Sequence, residues 1–176
     1  AGAADGLARL EAAAHENLGV SHGYLGCHAE ALAAYEVAER AYRQGGFVDE
    51  TVRCTANRGV ELIELGRNDE AIAALEPSGS EFAREGDLLS AAKCSAYAAR
   101  AHLQLGNYLA AVDATSASER MLSGQETTVE YARTQLVRAE TLASLNLVDD
   151  ALDLYVALEQ QFKHAGLEHD HAMAVI

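Results

Sequence analysis

Tryptophan is absent from this chain of 176 residues, proline occurs once, and aromatic residues make up only 6%. Hydrophobic residues nevertheless reach 49% of the total, which argues against disorder. A β-sandwich or β-barrel would need many β-branched and aromatic side chains and frequent turns, so we exclude both classes. Small apolar residues with almost no proline are typical of closely packed α-helices.

Positive charge is also scarce. The chain has 13 Lys and Arg against 27 Asp and Glu, a formal net charge of −14 with neutral His. Such an acidic protein disfavours nucleic acid and anionic membrane as main partners. No uninterrupted apolar run approaches the roughly 18 residues of a membrane-spanning helix.

Cysteine is rare and odd in number. Cys27, Cys54 and Cys94 do not make a disulfide framework, and a reducing cytoplasm is the default interpretation. A secreted protein whose signal has been removed is the open alternative. The chain begins at Ala1 without Met and ends in an apolar segment at Ile176. We interpret both ends as cuts within a larger protein.

Catalytic motifs are missing too. The sequence has neither a Gly-Lys-Ser/Thr phosphate loop nor a Gly-x-Ser-x-Gly elbow, so we predict no enzyme, no cofactor and no metal. His164, His169 and His171 form a cluster with a metal-binding composition. His169 and His171 are two residues apart and would point in different directions on a helix, so a solvated segment is favoured.

What the sequence does contain is a gapless internal repeat with a period of about 40 residues. The clearest column holds the residues Gly26, Gly66, Gly106 and Asn146. Leucine precedes each of them, and five residues later stand Ala31, Ala71, Ala111 and Ala151. A column of small residues lies seven positions upstream, at Gly19, Gly59, Ala99 and Ala139. These small columns predict close helix packing, so a leucine at one of the alanines would cost roughly 1–3 kcal/mol.

Each repeat predicts two antiparallel helices, because apolar residues recur at three and four positions in segments such as 148–162. We expect helices at 7–25, 27–44, 47–65, 68–85, 87–105, 107–123, 127–145 and 147–165, and a truncated ninth from Leu167. Thr127 with Glu130 predicts a capping box at the start of the seventh. Pro77 predicts a kink or interruption of the fourth, as an outer-face irregularity in preference to a hinge.

One helix pair cannot bury its apolar face alone, whereas stacked pairs share a core. We therefore predict an all-α fold, an α-solenoid with a right-handed superhelix of antiparallel helix pairs. Its four repeats, marked at positions 26, 66, 106 and 146, would form a single domain over residues 1–176.

The columns also carry a family resemblance. Asn17-Leu18-Gly19, Leu25-Gly26 and Glu30-Ala31-Leu32 resemble the tetratricopeptide repeat, and later repeats keep most of the pattern, as in Glu70-Ala71-Ile72. The common unit of that family has about 34 residues, so the longer period of this chain resembles the longer-helix branch. That branch occurs in bacterial regulators with an ATPase switch, in multidomain actinobacterial proteins and in some eukaryotic scaffolds. HEAT and armadillo repeats have similar periods but match these turns less well.

The resemblance implies that the first helices of the repeats line a concave groove for peptides or partner helices. The implied groove columns contain six candidate partner-binding residues: Arg53, Asn57, Lys93, Tyr97, Arg100 and Arg133. The three in the leading column are basic and could hold acidic side chains by charge-assisted hydrogen bonds. The alternative is that these basic residues pair with nearby acids such as Glu50 and Glu130.

We therefore expect a protein–protein interaction module that binds an acidic or amphipathic peptide, inside a cytoplasmic regulator or scaffold. The main alternative is a structural role, through packing within the parent protein or weak self-association through an apolar C-terminal end. An enzyme or a small-molecule sensor is the least favoured function, because no convergent polar pocket is evident.

Overall fold

The structure, a computed structural model, describes residues 2–125 and 128–165, except for the side chains of 2–5, 162, 164 and 165. Eight α-helices lie within these ranges, which contain no strand. They are α1 (Gly2–Tyr24), α2 (His28–Gly45), α3 (Val48–Glu64), α4 (Asn68–Glu85), α5 (Leu88–Gln104), α6 (Tyr108–Met121), α7 (Val129–Ser144) and α8 (Val148–Ala165).

The predicted helices are confirmed to within two residues at every end except the first. Helix α1 begins at Gly2, not at residue 7, because alanines, the best helix formers, stand among the early glycines. The predicted capping box is wrong: the cap of α7 is Thr128, whose hydroxyl accepts a hydrogen bond from the Tyr131 amide. Thr127 and the predicted ninth helix lie outside the described residues.

The column of turn residues has one backbone conformation. Gly26, Gly66 and Gly106 have φ values of 72°, 71° and 75°, and Asn146 has 62°. This left-handed region favours glycine and tolerates asparagine better than most residues. The predicted tight turn between the two helices of each repeat is therefore confirmed.

Helix α4 is continuous on both sides of Pro77, so the predicted interruption is wrong, while the kink stays a prediction. The proline is exposed, and its ring therefore faces solvent and not the helix packing. The hydroxyl of Ser78 donates to the Ala74 carbonyl at 2.8 Å, a polar contact within the same turn of the helix.

The chain divides into two compact units, with the boundary between Glu85 and Gly86. Unit 1 contains α1–α4 and unit 2 contains α5–α8. Within each unit neighbouring helices pack in adjacent pairs, and the first helices of consecutive repeats, α1 with α3 and α5 with α7, also contact each other. The predicted all-α, solenoid-like repeat is thus confirmed, while the single domain and the superhelix stay predictions.

The small columns are buried, as predicted: Ala31, Ala71, Ala111 and Ala151 lie in the core. Gly59 shows why size matters there, because a Cβ atom at this position would lie 2.8 Å from Cγ of Leu75. Cys54 and Cys94 are also buried, and burial raises the pKa of each thiol to about 12.

Consecutive repeats within a unit are joined by the same ion pair. In unit 1, Nε of Arg58 on α3 lies 2.8 Å from Oε2 of Glu39 on α2. In unit 2 the equivalent residues, two repeats later, also form an ion pair, and this one is hydrogen-bonded: Nη1 of Arg138 on α7 donates to Oε1 of Glu119 on α6 at 2.7 Å, whereas Nε of Arg58 makes no hydrogen bond. Each arginine belongs to a first helix and each glutamate to the preceding second helix. We call this contact the junction pair.

A second junction contact comes from the small residue four positions before each arginine. The thiol of Cys54 lies 3.4 Å from the Tyr35 carbonyl on α2. In unit 2 the hydroxyl of Thr134 lies 2.9 Å from that of Ser118 on α6, and both residues are buried.

Over the described ranges, no helix combines the length and apolarity that crossing a membrane would require.

Candidate functional site

The six predicted binding residues all lie on first helices, as the repeat register requires. Arg53 and Asn57 are one turn apart on α3 of unit 1. Lys93, Tyr97 and Arg100 follow one another at helical spacing on α5 of unit 2, and Arg133 lies on α7. The structure therefore assigns two of the six to unit 1 and four to unit 2.

In unit 1 the predicted residues hold a carboxylate, and it belongs to the chain itself. Arg53 donates from Nε to Oε1 of Glu16 at 2.9 Å and from Nη2 to Oε2 at 2.8 Å. Asn57 donates from Nδ2 to Oε1 at 3.5 Å, and the Tyr42 hydroxyl donates to Oε2 at 2.9 Å. Glu16 is only 6% exposed, so these donors replace most of the water that would otherwise hydrate its carboxylate.

The electrostatics of this cluster favour its present protonation states. The hydrogen bond to Glu16 raises the pKa of the Arg53 guanidinium, against the opposing effect of desolvation. Burial, followed by the hydrogen bond to Glu16, raises the pKa of the Tyr42 hydroxyl to about 12. Tyr42 therefore stays a hydrogen-bond donor throughout the neutral pH range.

Glu50 is not the partner of Arg53, contrary to the alternative pairing drawn from their spacing. Glu50 forms its ion pair with Arg9 of α1. The pKa of its carboxyl is lowered, because a hydrogen bond from its own backbone amide and the charges of Arg9 and Arg53 outweigh desolvation. Glu50 thus pairs with a residue on another helix in preference to the one in the same turn.

In unit 2 the lysine of the leading column holds its carboxylate less closely than Arg53 does, although the Arg53 side chain is itself 52% exposed. Nζ of Lys93 lies 3.3 Å from Oε1 of Glu130, and the Lys93 side chain is 45% exposed. The spacing of Glu130 and Arg133 along α7 predicts a pair between them. In the structure, however, Glu130 forms its ion pair with Lys93. Arg133 is exposed one turn further along α7. Desolvation raises the pKa of Glu130, but its backbone hydrogen bond and the charges of Lys93 and Arg133 produce a net lowering.

Tyr97 and Arg100 are half-buried on the same helix. The charge of Arg100 acts on Glu140 of α7, yet desolvation dominates and raises the pKa of the Glu140 carboxyl. Burial and the charge of Glu140 also raise the pKa of Tyr155 on α8. Unit 2 therefore has cationic and aromatic side chains on α5 and α7, beside the acidic residues Glu130 and Glu140 of α7.

Sequence reasoning missed Glu16 and Tyr42, although each had a signal. Glu16 is the acidic member of a column otherwise filled by Ala56, Ala96 and Leu136. Tyr42 is the hydroxyl-bearing member of a column that also holds Phe82 and Leu122. A polar residue in an apolar column needs a buried partner, and each of these two provides it for the other.

No group of three or more His, Cys, Asp or Glu side chains within the described part of the chain is arranged to hold a metal ion. The cluster formed by His164, His169 and His171 lies outside the side chains described. Cys27, at the start of α2, is half-buried and, like Cys54 and Cys94, is a free thiol. No protein-family model and no curated protein sequence matches this chain.

Proposed function

We propose that this chain is a protein–protein interaction module that binds an acidic or amphipathic peptide through its first helices. In this proposal it is a long-period member of the tetratricopeptide repeat class and part of a cytoplasmic regulator or scaffold. Two features support the class: the long period of the repeat and the left-handed turn residue within each repeat. Three free thiols fit a reducing compartment. The proposed role requires no catalysis.

The observation that carries the proposal is the bidentate contact between Arg53 and Glu16. Here a basic residue of the leading column and a polar residue one turn later hold a carboxylate of the chain itself, which supports the proposal that other basic residues of the column bind an acidic ligand. Bidentate pairs of this kind are among the stronger hydrogen-bonded contacts in proteins. The same column continues in unit 2 as Lys93 and Arg133.

The contacts narrow the proposed ligand site to unit 2. In unit 1 the carboxylate position is filled by Glu16, so Arg53 and Asn57 stabilise the fold in this proposal. In unit 2 the ion pair of Lys93 is longer, at 3.3 Å, and Arg133 is exposed. An incoming acidic side chain could displace Glu130 from Lys93 at low cost, because partly exposed ion pairs contribute only about 0–1 kcal/mol. Tyr97 would supply an aromatic surface.

A titration tests this proposal. The probe is a fluorescein-labelled amphipathic peptide of glutamate and leucine, with a second peptide in which every glutamate is glutamine. We expect fluorescence anisotropy to show binding of the acidic peptide, and Lys93→Glu or Arg133→Glu to weaken it at least about tenfold. Arg120→Glu is the matched control, because it reverses another exposed arginine of unit 2, on a second helix.

Equal loss of affinity in the Arg120→Glu control would show that only net charge matters. Equal affinity for the glutamine peptide and the acidic peptide would show that the basic column does not recognise carboxylates. Either result would contradict the proposed site, provided that circular dichroism shows the same helical content in every variant.

Self-association is the alternative function, and it has its own observation. Large apolar side chains are exposed on the first and the last of the described helices, with Leu7 and Leu10 on α1 and Leu152 on α8. Light scattering over a concentration series separates the two functions. A constant monomer mass favours the peptide-binding proposal, and a mass that increases with concentration favours self-association.

A further inference from the structure

In each unit an acid at one repeat position pairs with a base on the preceding first helix. In unit 1, Glu50 in the first turn of α3 forms its ion pair with Arg9 of α1. In unit 2, Glu130 occupies the column of Glu50, in the first turn of α7, and forms its ion pair with Lys93 of α5. The acid at this position therefore extends toward the neighbouring first helix in both units.

The two acids differ in how closely they are held. The Glu50 side chain is 12% exposed and accepts a hydrogen bond from Arg9. The Glu130 side chain is 25% exposed, and its Oε1 lies 3.3 Å from Nζ of Lys93. An ammonium group is a point charge without the planar fork with which a guanidinium fixes a carboxylate. The contact of Glu130 is therefore the easier of the two to exchange for another anion.

Glu130 is also the acid on which both cations of the proposed ligand site act. Desolvation alone would raise the pKa of its carboxyl. The hydrogen bond from its own backbone amide and the charges of Lys93 and Arg133 together lower that pKa. Glu130 is therefore an anion at neutral pH, and it is held by the same two side chains that would bind an acidic ligand.

We propose that Glu130 is a tethered competitor that regulates the ligand site of unit 2. Its carboxylate occupies Lys93 in the free protein and leaves Lys93 when the acidic peptide binds. This inference rests on the proposed function and adds a regulatory residue to it. The site is competent only in the fraction of molecules in which Lys93 is released, and the apparent affinity for the peptide is reduced by that fraction.

The displaced carboxylate keeps a favourable place in the fold. Glu130 lies in the first turn of α7, where the helix dipole stabilises negative charge, and its hydrogen bond from its own backbone amide does not involve Lys93. Release from Lys93 therefore does not leave an isolated buried charge, so the exchange of one anion for another is physically reasonable.

Neutralising the competitor tests the proposal. Glu130→Gln removes the charge at nearly unchanged side-chain size. We expect the variant to bind the fluorescein-labelled peptide of glutamate and leucine about fivefold more tightly than the wild type in fluorescence anisotropy. Asp149→Asn is the matched control, because it neutralises an exposed acid of unit 2 on a second helix, and its affinity should stay within about twofold of the wild type.

Two further variants separate the contact from the charge. Glu130→Asp keeps the negative charge but shortens the side chain by one methylene, which draws the carboxylate away from Nζ of Lys93. We expect it to bind the peptide at least about twofold more tightly than the wild type. In a Lys93→Gln background, Glu130→Gln should lose most of its gain in affinity, because the group for which Glu130 competes is absent.

The possible failures are distinguishable. If the wild type and Glu130→Gln bind the peptide equally, the competitor is wrong while the ligand site stands. An equal gain from Asp149→Asn would also overturn the competitor, because net charge alone would explain it. Weaker binding by Glu130→Gln with reduced helical content in circular dichroism would make Glu130 a structural residue of α7. If neither protein binds the peptide, the proposed function fails, and this inference fails with it.

Discussion

Glu16 is the side chain on which the polar contacts of unit 1 converge. It is buried on α1, yet three residues from two other helices donate to it: Arg53 and Asn57 on α3 and Tyr42 on α2. Its role could be suspected from the sequence, because an acid in an apolar column requires a compensating donor. Its partners could not be identified, because they are 26 to 41 positions away in the chain.

We predict that Glu16→Gln lowers the free energy of unfolding by about 1–3 kcal/mol. The amide keeps the size of the side chain but removes the charge that holds Arg53, and one of its two polar atoms can no longer accept. Urea denaturation followed by circular dichroism measures the change. Glu11→Gln, at an exposed position of the same helix, is the control. If Glu16→Gln lowers the free energy of unfolding no more than Glu11→Gln does, the Glu16 cluster contributes little to stability.

The cysteines give a second prediction at the scale of single residues. Burial raises the pKa of the Cys54 and Cys94 thiols to about 12, so both are protonated and shielded at pH 8, whereas Cys27 is only half-buried. We predict that iodoacetamide labels Cys27 in the native protein and the other two only after unfolding. Mass spectrometry of tryptic peptides identifies each site. Equally rapid native labelling of Cys94 would contradict its buried placement.

At the scale of helices, the sequence predicted the positions of the helices well but the ion-pair partners of their side chains poorly. The turn column required a left-handed residue and therefore located the helix ends near Gly26, Gly66 and Gly106. Side-chain pairing is decided in three dimensions, however. Arg53 is three residues from Glu50, yet it pairs with Glu16, because α1 and α3 lie side by side. Spacing along one helix could not reveal a neighbour on another.

Pro77 gives a prediction for a whole helix. Because α4 continues through the proline, one backbone hydrogen bond to the Ala73 carbonyl cannot form. We predict that Pro77→Ala raises the free energy of unfolding by about 1–3 kcal/mol, since the position is exposed and no packing is lost. Thermal denaturation measures this, with Ala73→Gly as a control expected to destabilise the same helix. A less stable Pro77→Ala protein would mean that the proline has a favourable role.

At the scale of the whole chain, the unit boundary coincides with a gap in the junction pairs. The pairs Arg58–Glu39 and Arg138–Glu119 each lie within one unit. The equivalent positions between the second and third repeats are Gly79 and Ala98, which carry no charge. The repeat count could be predicted from the sequence, but the grouping of repeats in twos could not, because the repeat marks keep the same spacing across the boundary.

We predict that a fragment of residues 1–85 folds alone, because it contains two complete repeats, their junction pair and the Glu16 cluster. Circular dichroism should show a helical protein with a cooperative thermal transition. The fragment 47–125 is the matched control: it also contains four helices, but it combines α3–α6 and has no junction pair. It should be less stable than the first fragment. A more stable 47–125 would contradict the division into these units.

The proposed function also belongs to the whole chain, and its most direct test locates the ligand. Amide chemical shifts of the full chain labelled with nitrogen-15 can be followed by NMR during titration with the acidic amphipathic peptide. We predict that the largest shifts lie on α5 and α7, around Lys93, Tyr97 and Arg133, while Arg53 and Asn57 change little because Glu16 occupies them. Shifts concentrated on the second helices, or no saturable shifts at all, would contradict binding through the basic column of unit 2.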